Sequence, residues 1–299
     1  MILVIGEILL DVYPQHQRLG GAAFNFAYHL ENLGFPVCFI SRIGVDDAGR
    51  TITEKLKAYG FFSDAIQVDA DKPTGTVQVR LDEKGIPDFN IVPDVAYDYI
   101  EYEPGKHRPL IRRAKMIYFG SLTQRTPFGF ATLETIRSQK SPQTRCFYDI
   151  NLRPDCFQDH IILQSLTQCN VLKLNQQEFE TLKGITAFRG NDDSFVRYLL
   201  QTYPLQTIAL TRGAAGSSLY TPSAVFSKGA VSVARPIDTV GAGDAYAAML
   251  AAGLLKGWRF EKTLDMATLF ASRICEIEGA IPEPGSFYAF FKRRIDIGE

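Results

Sequence analysis

The sequence predicts an α/β fold in which a mostly parallel sheet is covered by helices. Apolar runs, often β-branched, alternate along the chain with amphipathic stretches, which is typical of repeated βαβ units. Each apolar run is followed by a polar or glycine-containing turn. A chain of 299 residues, 46% of them hydrophobic, is long enough to bury a large core. This length suits one large domain or one domain with an inserted lobe.

The positions of the central elements follow from these runs. Strands are predicted at Ile2–Ile5, Val37–Ile40, Met116–Phe119, Arg145–Asp149, Val171–Leu174 and Thr207–Leu210. Helices are predicted near Ala22–Leu33, Ala48–Tyr59, Phe128–Ser138, Phe195–Thr202, Ala245–Leu255 and Lys262–Ile277. Because ligands of open α/β sheets bind beyond the carboxyl ends of the strands, the turns after these strands are where a functional site is expected.

A β-hairpin is predicted between two of the βα units. Residues 74–92 alternate as in a strand, with Val77, Val79 and Leu81 on one face, and they turn at Asp82–Gly85. A hairpin is only marginally stable alone, so it must pack against something. Its apolar face suits either a lid over a cleft or a contact between two copies of the chain.

Composition and charge exclude several classes of protein. The net charge of −1 provides no positive surface for nucleic acid or for an anionic membrane. No charged segment precedes the apolar start, and the longest apolar run, Ala245–Leu255, is too short to cross a bilayer. The five cysteines are scattered and lack C-x-x-C spacing, which argues against a disulfide framework or a zinc site. A cytoplasmic protein is therefore expected.

The most informative segment is the heptad Asp238–Asp244, which leads directly into an apolar helix. A glycine-rich turn at a helix start presents unpaired N–H groups and the positive end of the helix dipole to an anion. Asp244 would repel a bound phosphate, but it is suited to take a proton from an attacking hydroxyl. Asp is also a common helix cap. The complete heptad, with Asp238 and Thr239 ahead of the glycines, favours the catalytic interpretation.

Other glycine-containing segments do not match nucleotide-binding motifs. Gly44–Thr51 nearly matches a P-loop, but Arg50 stands in place of the required lysine and two acidic residues lie where phosphate would bind. Gly6 follows the first strand, yet no G-x-G-x-x-G pattern develops. The four histidines show no metal-ligand spacing.

Candidate binding residues for a small molecule follow the predicted strands. Asp11 can accept hydrogen bonds from sugar hydroxyls, or it can simply close a turn. Gly21 precedes a helix whose early turns contain Asn25, a poor helix former with either a binding role or an ordinary polar contact. Arg153 lies in the loop after a strand and can pair with a substrate anion or a distant phosphate, or it can simply brace that loop.

Two further strand ends carry polar motifs. Asn175 and Glu178 lie on one side of a helical turn, a suitable arrangement for holding waters of a magnesium ion. The same spacing also forms a capping box. Thr211–Gly216 can lie against nucleotide phosphates or ribose, or it can be only a tight turn.

Taken together and in this order, the segments resemble the ribokinase-like, or pfkB, family of carbohydrate kinases over essentially the whole chain. The family's motifs match Gly20-Gly21 with Asn25, Gly44–Gly49 (G-x-D-x-x-G), Asn175 with Glu178 (N-x-x-E), Thr211–Gly216 (T-x-G-x-x-G) and Asp238–Asp244. The last of these, D-T-x-G-A-G-D, is the most specific and is present in full.

The resemblance implies a single kinase domain over residues 1–299. Its fold would be a doubly wound, mostly parallel sheet in an α/β/α sandwich. A small inserted β lid would come mainly from about residues 12–20 and 74–100. By similarity to several relatives, the lid would also mediate a homodimer.

The resemblance also implies roles for individual residues. Asp244 would be the general base, and the amides of Gly241, Ala242 and Gly243 would form the anion hole. The implied sugar contacts are Asp11, Gly21, Asn25 and Arg153. The implied ATP contacts are Thr211, Gly213, Gly216, Gly241 and Gly243. Asn175 and Glu178 would position Mg²⁺ through water, and Asp238 would contact a monovalent cation such as K⁺.

The similarity is strongest to bacterial fructokinase-like members, through residues 74–100 and the N-x-R-P pattern at 151–154. Fructose, phosphorylated at its 6-hydroxyl, is therefore the expected substrate. 2-Keto-3-deoxygluconate, ribose and the substrates of nucleoside or vitamin kinases remain open. A catalytically inactive sugar-sensing or scaffold relative is the alternative from another class, but it would usually lack the base or the anion hole.

Overall fold

The computed structural model describes residues 1–61, 64–81, 87–231, 233 and 236–296. In this part of the chain the strands are β1 (Ile2–Ile5), β2 (Leu9–Val12), β3 (Gln17–Gly20), β4 (Val37–Gly44), β5 (Ile66–Asp69), β6 (Thr76–Leu81), β7 (Pro87–Ile91), β8 (Met116–Gly120), β9 (Arg145–Asp149), β10 (Val171–Asn175), β11 (Thr207–Thr211), β12 (Ser217–Tyr220) and β13 (Val225–Lys228). The α-helices are α1 (Ala22–Asn32), α2 (Asp47–Ala58), α3 (Pro104–Arg113), α4 (Pro127–Ser138), α5 (Asp159–Leu166), α6 (Gln176–Ile185), α7 (Asp192–Thr202), α8 (Ala242–Lys256), α9 (Phe260–Ile274) and α10 (Ser286–Asp296).

The larger sheet has the strand order β13-β12-β11-β10-β9-β8-β1-β4-β5. The strands from β11 to β5 pair in parallel, and β12 and β13 add two antiparallel pairings at one edge. In the middle of the sheet, Ile2 stands in register with Val37 on one side and Met116 on the other. The predicted α/β class is therefore confirmed.

Helices cover both faces of this sheet. Ile2 and Val4 of β1 join one buried cluster, which contains the apolar residues of α1, α8 and α9. Leu3 and Ile5 join a second cluster, with the apolar residues of α3 to α7. Successive strand residues point to opposite faces, so alternate residues of one short strand feed two cores. This is the doubly wound α/β/α arrangement that the resemblance implied.

All the predicted central strands and helices are present, most of them with shifted ends. β4 continues from Ile40 to Gly44, and α8 begins at Ala242, ahead of the predicted start. α7 begins at Asp192 because the Asn191 side chain accepts a hydrogen bond from the Ser194 N–H at 2.9 Å and caps the helix. The hydrophobic patterns did not predict the helices α3, α5, α6 and α10 or the strands β2, β3, β5, β12 and β13. No helix in the described part of the chain is long and apolar enough to cross a membrane.

A second, smaller sheet has the order β3-β2-β6-β7. β6 and β7 pair antiparallel, as the predicted hairpin requires. The predicted turn of this hairpin, at Asp82–Gly85, lies outside the described residues. Val77, one of the three residues of the predicted apolar face, is 5% exposed and packs into the chain's own core. The side chains of Val79 and Leu81 lie outside the description. β2 also belongs to this sheet. The sheet therefore starts earlier in the chain than residue 12, where the expected lid begins.

Candidate active site

Polar residues gather at the carboxyl ends of strands in the large sheet, and only some of them belong to the predicted site. Glu7 follows β1, Asp149 ends β9, Asn175 ends β10 and Thr211 ends β11. The N-termini of α1 and α8 lie at the same edge, because Asn25 of α1 and Asp244 of α8 are in direct contact. This is where ligands bind in open α/β sheets.

The turn before α8 has a backbone that only glycine accommodates well. Gly241 has φ of 77°, in the left-handed region, and a Cβ there would collide with the backbone of Ala280. The carboxylate of Asp238 braces the same turn, since it accepts the Val240 N–H at 3.0 Å and the Gly279 N–H at 3.1 Å. The heptad is thus clamped against the chain segment that follows α9.

The predicted anion-hole amides open α8. The Gly243 N–H lies in the first turn of the helix, where amides have no acceptor four residues earlier within the helix. The Ala242 N–H already donates to the Thr239 carbonyl, at 3.3 Å. The turn can therefore offer N–H groups to an anion, although the amide of Ala242 is partly engaged.

Asp244 lies in the first turn of α8 and is joined to α1. Asn25 Nδ2 donates to Asp244 Oδ2 at 2.8 Å. Burial raises the pKa of Asp244 to about 6, while the Asn25 hydrogen bond and the Lys173 and Arg153 charges oppose this rise. Asn25 is 4% exposed, and its Oδ1 has no hydrogen-bond partner in the described structure. A buried acceptor without a partner suits a ligand hydroxyl.

Glu7 is a site residue that the sequence reading missed. Its Oε1 accepts the Ala22 N–H at 2.9 Å and the Ala23 N–H at 3.3 Å, so a residue after β1 caps α1. Gly21 is needed beside it, because it has φ of 107° and a Cβ would lie 2.6 Å from the Glu7 carbonyl oxygen. Burial raises the pKa of the Glu7 carboxyl. The sequence feature that could have identified Glu7 is the presence of an acidic residue directly after Gly6.

Lys173 and Asp149 form a second group that was missed. Lys173 Nζ lies 3.0 Å from Asp149 Oδ1, and both side chains are buried. A Cβ placed on Gly243 would be 3.1 Å from Lys173 Nζ, so this ammonium lies beside the first turn of α8. Burial alone would lower the pKa of Lys173. The surrounding carboxylates, among them Asp149 and Asp244, outweigh that effect and raise the pKa, so the ammonium stays charged.

Asn175 and Glu178 form the capping box of α6. The Asn175 side chain accepts the Glu178 N–H at 2.9 Å, and Glu178 Oε2 accepts the Asn175 N–H at 2.7 Å. Glu178 Oε1 also accepts the Leu152 N–H at 3.1 Å. Each carboxylate oxygen has a second acceptor site, so the arrangement is compatible with a metal-bound water. The described residues contain no cluster of three or more His, Cys, Asp or Glu that could hold a metal directly.

Asp11 and Arg153 lie on the side of the small sheet. Asp11 of β2 stands opposite Arg18 of β3. Burial raises the pKa of Asp11 to about 6, against the opposing charges of Arg153 and Arg18. Since Arg153 also acts on Asp244, its guanidinium lies near both carboxylates. Arg153 is exposed and borders a cavity of about 830 Å³.

Arg18 links the small sheet to the heptad. Its Nη1 lies 3.6 Å from Asp238 Oδ2, and its Nη2 pairs with Glu278. The guanidinium also lies over the ring of Tyr13, 5.0 Å from the centroid. The small sheet is therefore tied by one side chain to the loop that carries the glycine turn.

A cavity of about 610 Å³ lies on the other side of the heptad. Thr211, Gly213, Gly216 and Gly243 line it, whereas Gly241 packs against Ala280 instead. Its remaining walls are largely apolar and come from β12, α8, α9 and the chain before the heptad. The volume, the apolar walls and the glycine-rich rim fit an adenine nucleotide whose phosphates reach the turn.

Comparisons with known proteins agree with this geometry. Residues 6–284 match the sequence model of the family described as pfkB family carbohydrate kinase. A putative sugar kinase of Pyrococcus horikoshii, PH1459, is 29% identical over 305 residues, which cover 95% of this chain and 93% of that protein. A fructokinase of Salmonella typhimurium is 28% identical over 92% of this chain and 91% of its own length.

Two further comparisons extend this picture. A 5-dehydro-2-deoxygluconokinase of Geobacillus thermodenitrificans is 27% identical over 85% of this chain and 77% of its own length. The crystal structure of PH1459 in complex with ATP superposes with a TM-score of 0.79 and 25% identity over 94% of both chains. The relatives thus share the architecture but differ in the acceptor that their names specify.

Proposed function

The chain belongs to the pfkB family of carbohydrate kinases, and we propose that it transfers the γ-phosphoryl group of ATP to a primary hydroxyl of a small sugar, with fructose as the first candidate. Membership of this family makes the protein a phosphotransferase that acts on a hydroxyl group of a sugar or nucleoside. The observation that carries the proposal is the position of Asp244, joined to Asn25 on one side and next to the glycine turn on the other.

Asp244 acts as the general base. With a pKa of about 6, its carboxyl is mostly ionised at neutral pH and can accept the proton of an attacking hydroxyl. The Asn25 hydrogen bond fixes the rotation of the carboxylate, and the unpartnered Asn25 Oδ1 can accept a second hydroxyl of the same sugar. One side chain thus orients both the base and the acceptor.

The start of α8 stabilises the negative charge of the transferred group. The amides of Gly241, Ala242 and Gly243 form the proposed anion hole, supported by the positive end of the helix dipole. The buried Lys173 ammonium, which also pairs with Asp149, adds positive charge beside Gly243. These groups are already in place before the reaction, which is what makes such stabilisation effective.

The nucleotide is assigned to the 610 Å³ cavity, with Thr211, Gly213 and Gly216 as contacts. Asn175 and Glu178 would hold Mg²⁺ through water, and the bound metal would neutralise charge on the phosphates. Titration of nucleotide binding in the absence of metal, comparing the wild type with Gly216→Val, tests the cavity. Unchanged nucleotide affinity in this variant would contradict the assignment.

The sugar is assigned to Asp11, Gly21, Asn25 and Arg153. Similarity to fructokinases supports fructose. The exposed, charged Arg153 favours an acid sugar as a second candidate, such as 2-keto-3-deoxygluconate or the 5-dehydro-2-deoxygluconate named for a relative. Ribose is the remaining sugar candidate.

A substrate panel with ATP and Mg²⁺ separates these candidates. It compares fructose, the two keto acids, ribose and adenosine by kcat/KM. Arg153→Met should weaken turnover of an acid sugar far more than turnover of fructose, because only the acid loses a charge partner. If adenosine were phosphorylated faster than every sugar, the sugar assignment would fail. The absence of any turnover would favour the inactive sugar-sensing alternative, although the base and the glycine turn are both in place.

We further propose that residues 1–299 form one kinase domain, in which residues 12–20 and 74–100 form a lid over the sugar. We also propose that the protein is cytoplasmic and that it forms a homodimer through contact between the two lids. A monomer by light scattering at micromolar concentration would contradict the dimer.

Asp238 is the proposed contact for K⁺, which would share this carboxylate with Arg18. Equal activity in potassium and tetramethylammonium salts would exclude a requirement for the cation.

A further inference from the structure

A basic cavity lies at the end of the large sheet opposite to the active site. It has a volume of about 560 Å³, and its walls come from the end of α3, the starts of β8 and β9, and the end of α8. The basic cavity is defined by the side chains of Arg112, Arg113, Lys115, Arg145 and Lys256. Its size is in the range of small-molecule sites.

The five positive charges of the basic cavity are not compensated by the protein. In the described part of the chain, none of them forms an ion pair, and the basic cavity has no Asp or Glu in its lining. The chain as a whole has a net charge of −1, so this concentration of charge is local. Like charges that line one cavity repel one another, and an anion bound between them relieves this repulsion.

Helix ends explain only part of this cluster. Arg112 and Arg113 lie in the last turn of α3, and Lys256 ends α8, where cations are favoured by the helix dipole. Each helix end supplies about half a negative charge, so two ends offset roughly one of the five positive charges. Arg145 bonds to a carbonyl near the end of α8, whereas Lys115, just before β8, has no helix-end partner.

One wall of the basic cavity is held in place. Arg145 Nη1 donates to the Leu254 carbonyl at 2.7 Å, which ties the start of β9 to the last turns of α8. The positive potential reaches the start of the chain, where burial and the charges of Lys115 and Arg113 lower the pKa of the Met1 amino group. The basic cavity therefore combines a defined shape with an unneutralised field.

We propose that the basic cavity binds a small anion that carries at least two phosphate groups. Arginine guanidinium groups pair with phosphate through two parallel hydrogen bonds, and lysine adds a point charge. One phosphate, with about two negative charges, would leave most of the cluster unneutralised, whereas two phosphates nearly balance it. Inorganic pyrophosphate and sugar bisphosphates both have this chemistry, and this site is separate from the proposed nucleotide cavity.

The test measures binding of pyrophosphate to the full chain by calorimetry, in metal-free buffer. The cavity variant is Arg113→Gln/Lys115→Gln, whose exposed side chains make no described hydrogen bond. The matched control is Lys57→Gln/Arg197→Gln, which removes two exposed charges from α2 and α7. A second cavity variant, Arg112→Gln/Lys256→Gln, removes one charge from the end of α3 and one from the end of α8. Circular dichroism checks that all variants are folded.

We expect a binding event whose affinity falls at least about tenfold in both cavity variants and is unchanged in the control. A parallel titration with fructose 1,6-bisphosphate distinguishes the two sources by which of them binds more tightly. The proposal is overturned if neither probe binds, if the cavity variants bind as tightly as the wild type, or if the control loses affinity as much as the cavity variants.

Discussion

Asn25 and Asp244 are joined by a hydrogen bond of 2.8 Å from Asn25 Nδ2 to Asp244 Oδ2. The two residues lie in the first turns of α1 and α8, whose N-termini meet at the carboxyl edge of the sheet. α1 carries Asn25, one of the proposed sugar contacts, and α8 follows the glycine turn. The hydrogen bond therefore fixes the distance between the acceptor side and the phosphoryl side of the proposed reaction.

Replacing Asp244 with asparagine should remove the base without removing the fold. The amide is of similar size but cannot accept the proton, so turnover should fall by ~10²–10⁴, while nucleotide affinity and the unfolding midpoint change little. An assay that couples ADP release to a dye measures turnover, and calorimetry measures binding. A fully active Asp244→Asn enzyme would remove Asp244 from its assigned role.

The activity should depend on pH through Asp244. The base must be ionised, so kcat/KM should fall as the pH drops through about 6. Because the Asn25 hydrogen bond lowers the pKa of Asp244, Asn25→Ala should move this acid limb to higher pH. Asn32→Ala, on the same helix, serves as the control. An unmoved limb, or one displaced to lower pH, would contradict the link between the two residues.

Substitutions of Gly241 and Gly257, which flank α8, distinguish the effect of backbone strain from that of steric collision. Both have positive φ, 77° and 69°, but only Gly241 has neighbours that a Cβ would strike. Gly257→Ala should cost roughly 1–2 kcal/mol of unfolding free energy, as expected for a left-handed alanine. Gly241→Ala should cost more, because Ala280 must also move, and should lower kcat. Urea unfolding of both variants measures this difference. Equal losses of unfolding free energy would mean that Ala280 moves away without an energetic penalty.

Glu7 should contribute to stability through its cap on α1. Glu7→Ala leaves the Ala22 and Ala23 amides without their acceptor and should lower the free energy of unfolding by about 1–3 kcal/mol. Glu7→Gln keeps an acceptor oxygen and should retain most of the stability. The exposed Glu54→Ala provides a baseline in the same urea titration. A loss in Glu7→Gln as large as in Glu7→Ala would show that the negative charge, rather than the hydrogen bonds, stabilises the helix start.

Local patterns predicted the fold because hydrophobic periodicity is a property of neighbouring residues. β1 and β9 have the predicted ends, since β1 is an apolar run that stops at Gly6 and β9 is a short run that begins at Arg145 and ends at Asp149. Helices such as α3, which contains a proline at position 109 and ends in two arginines, lack a clear apolar stripe in sequence. Their burial comes from residues elsewhere in the chain, so no local pattern reveals them.

The same limit applies to the candidate site. The sequence by itself determined the phosphate-friendly turn and its acid, because the motif from Asp238 to Asp244 is contiguous. Only the tertiary structure decided that Asn25 holds Asp244, that Glu7 caps α1, and that Lys173 lies beside Gly243. These contacts join residues far apart in the chain. They exist because parallel strands bring their carboxyl ends to one edge, and spacing along a sequence does not encode distance across a sheet.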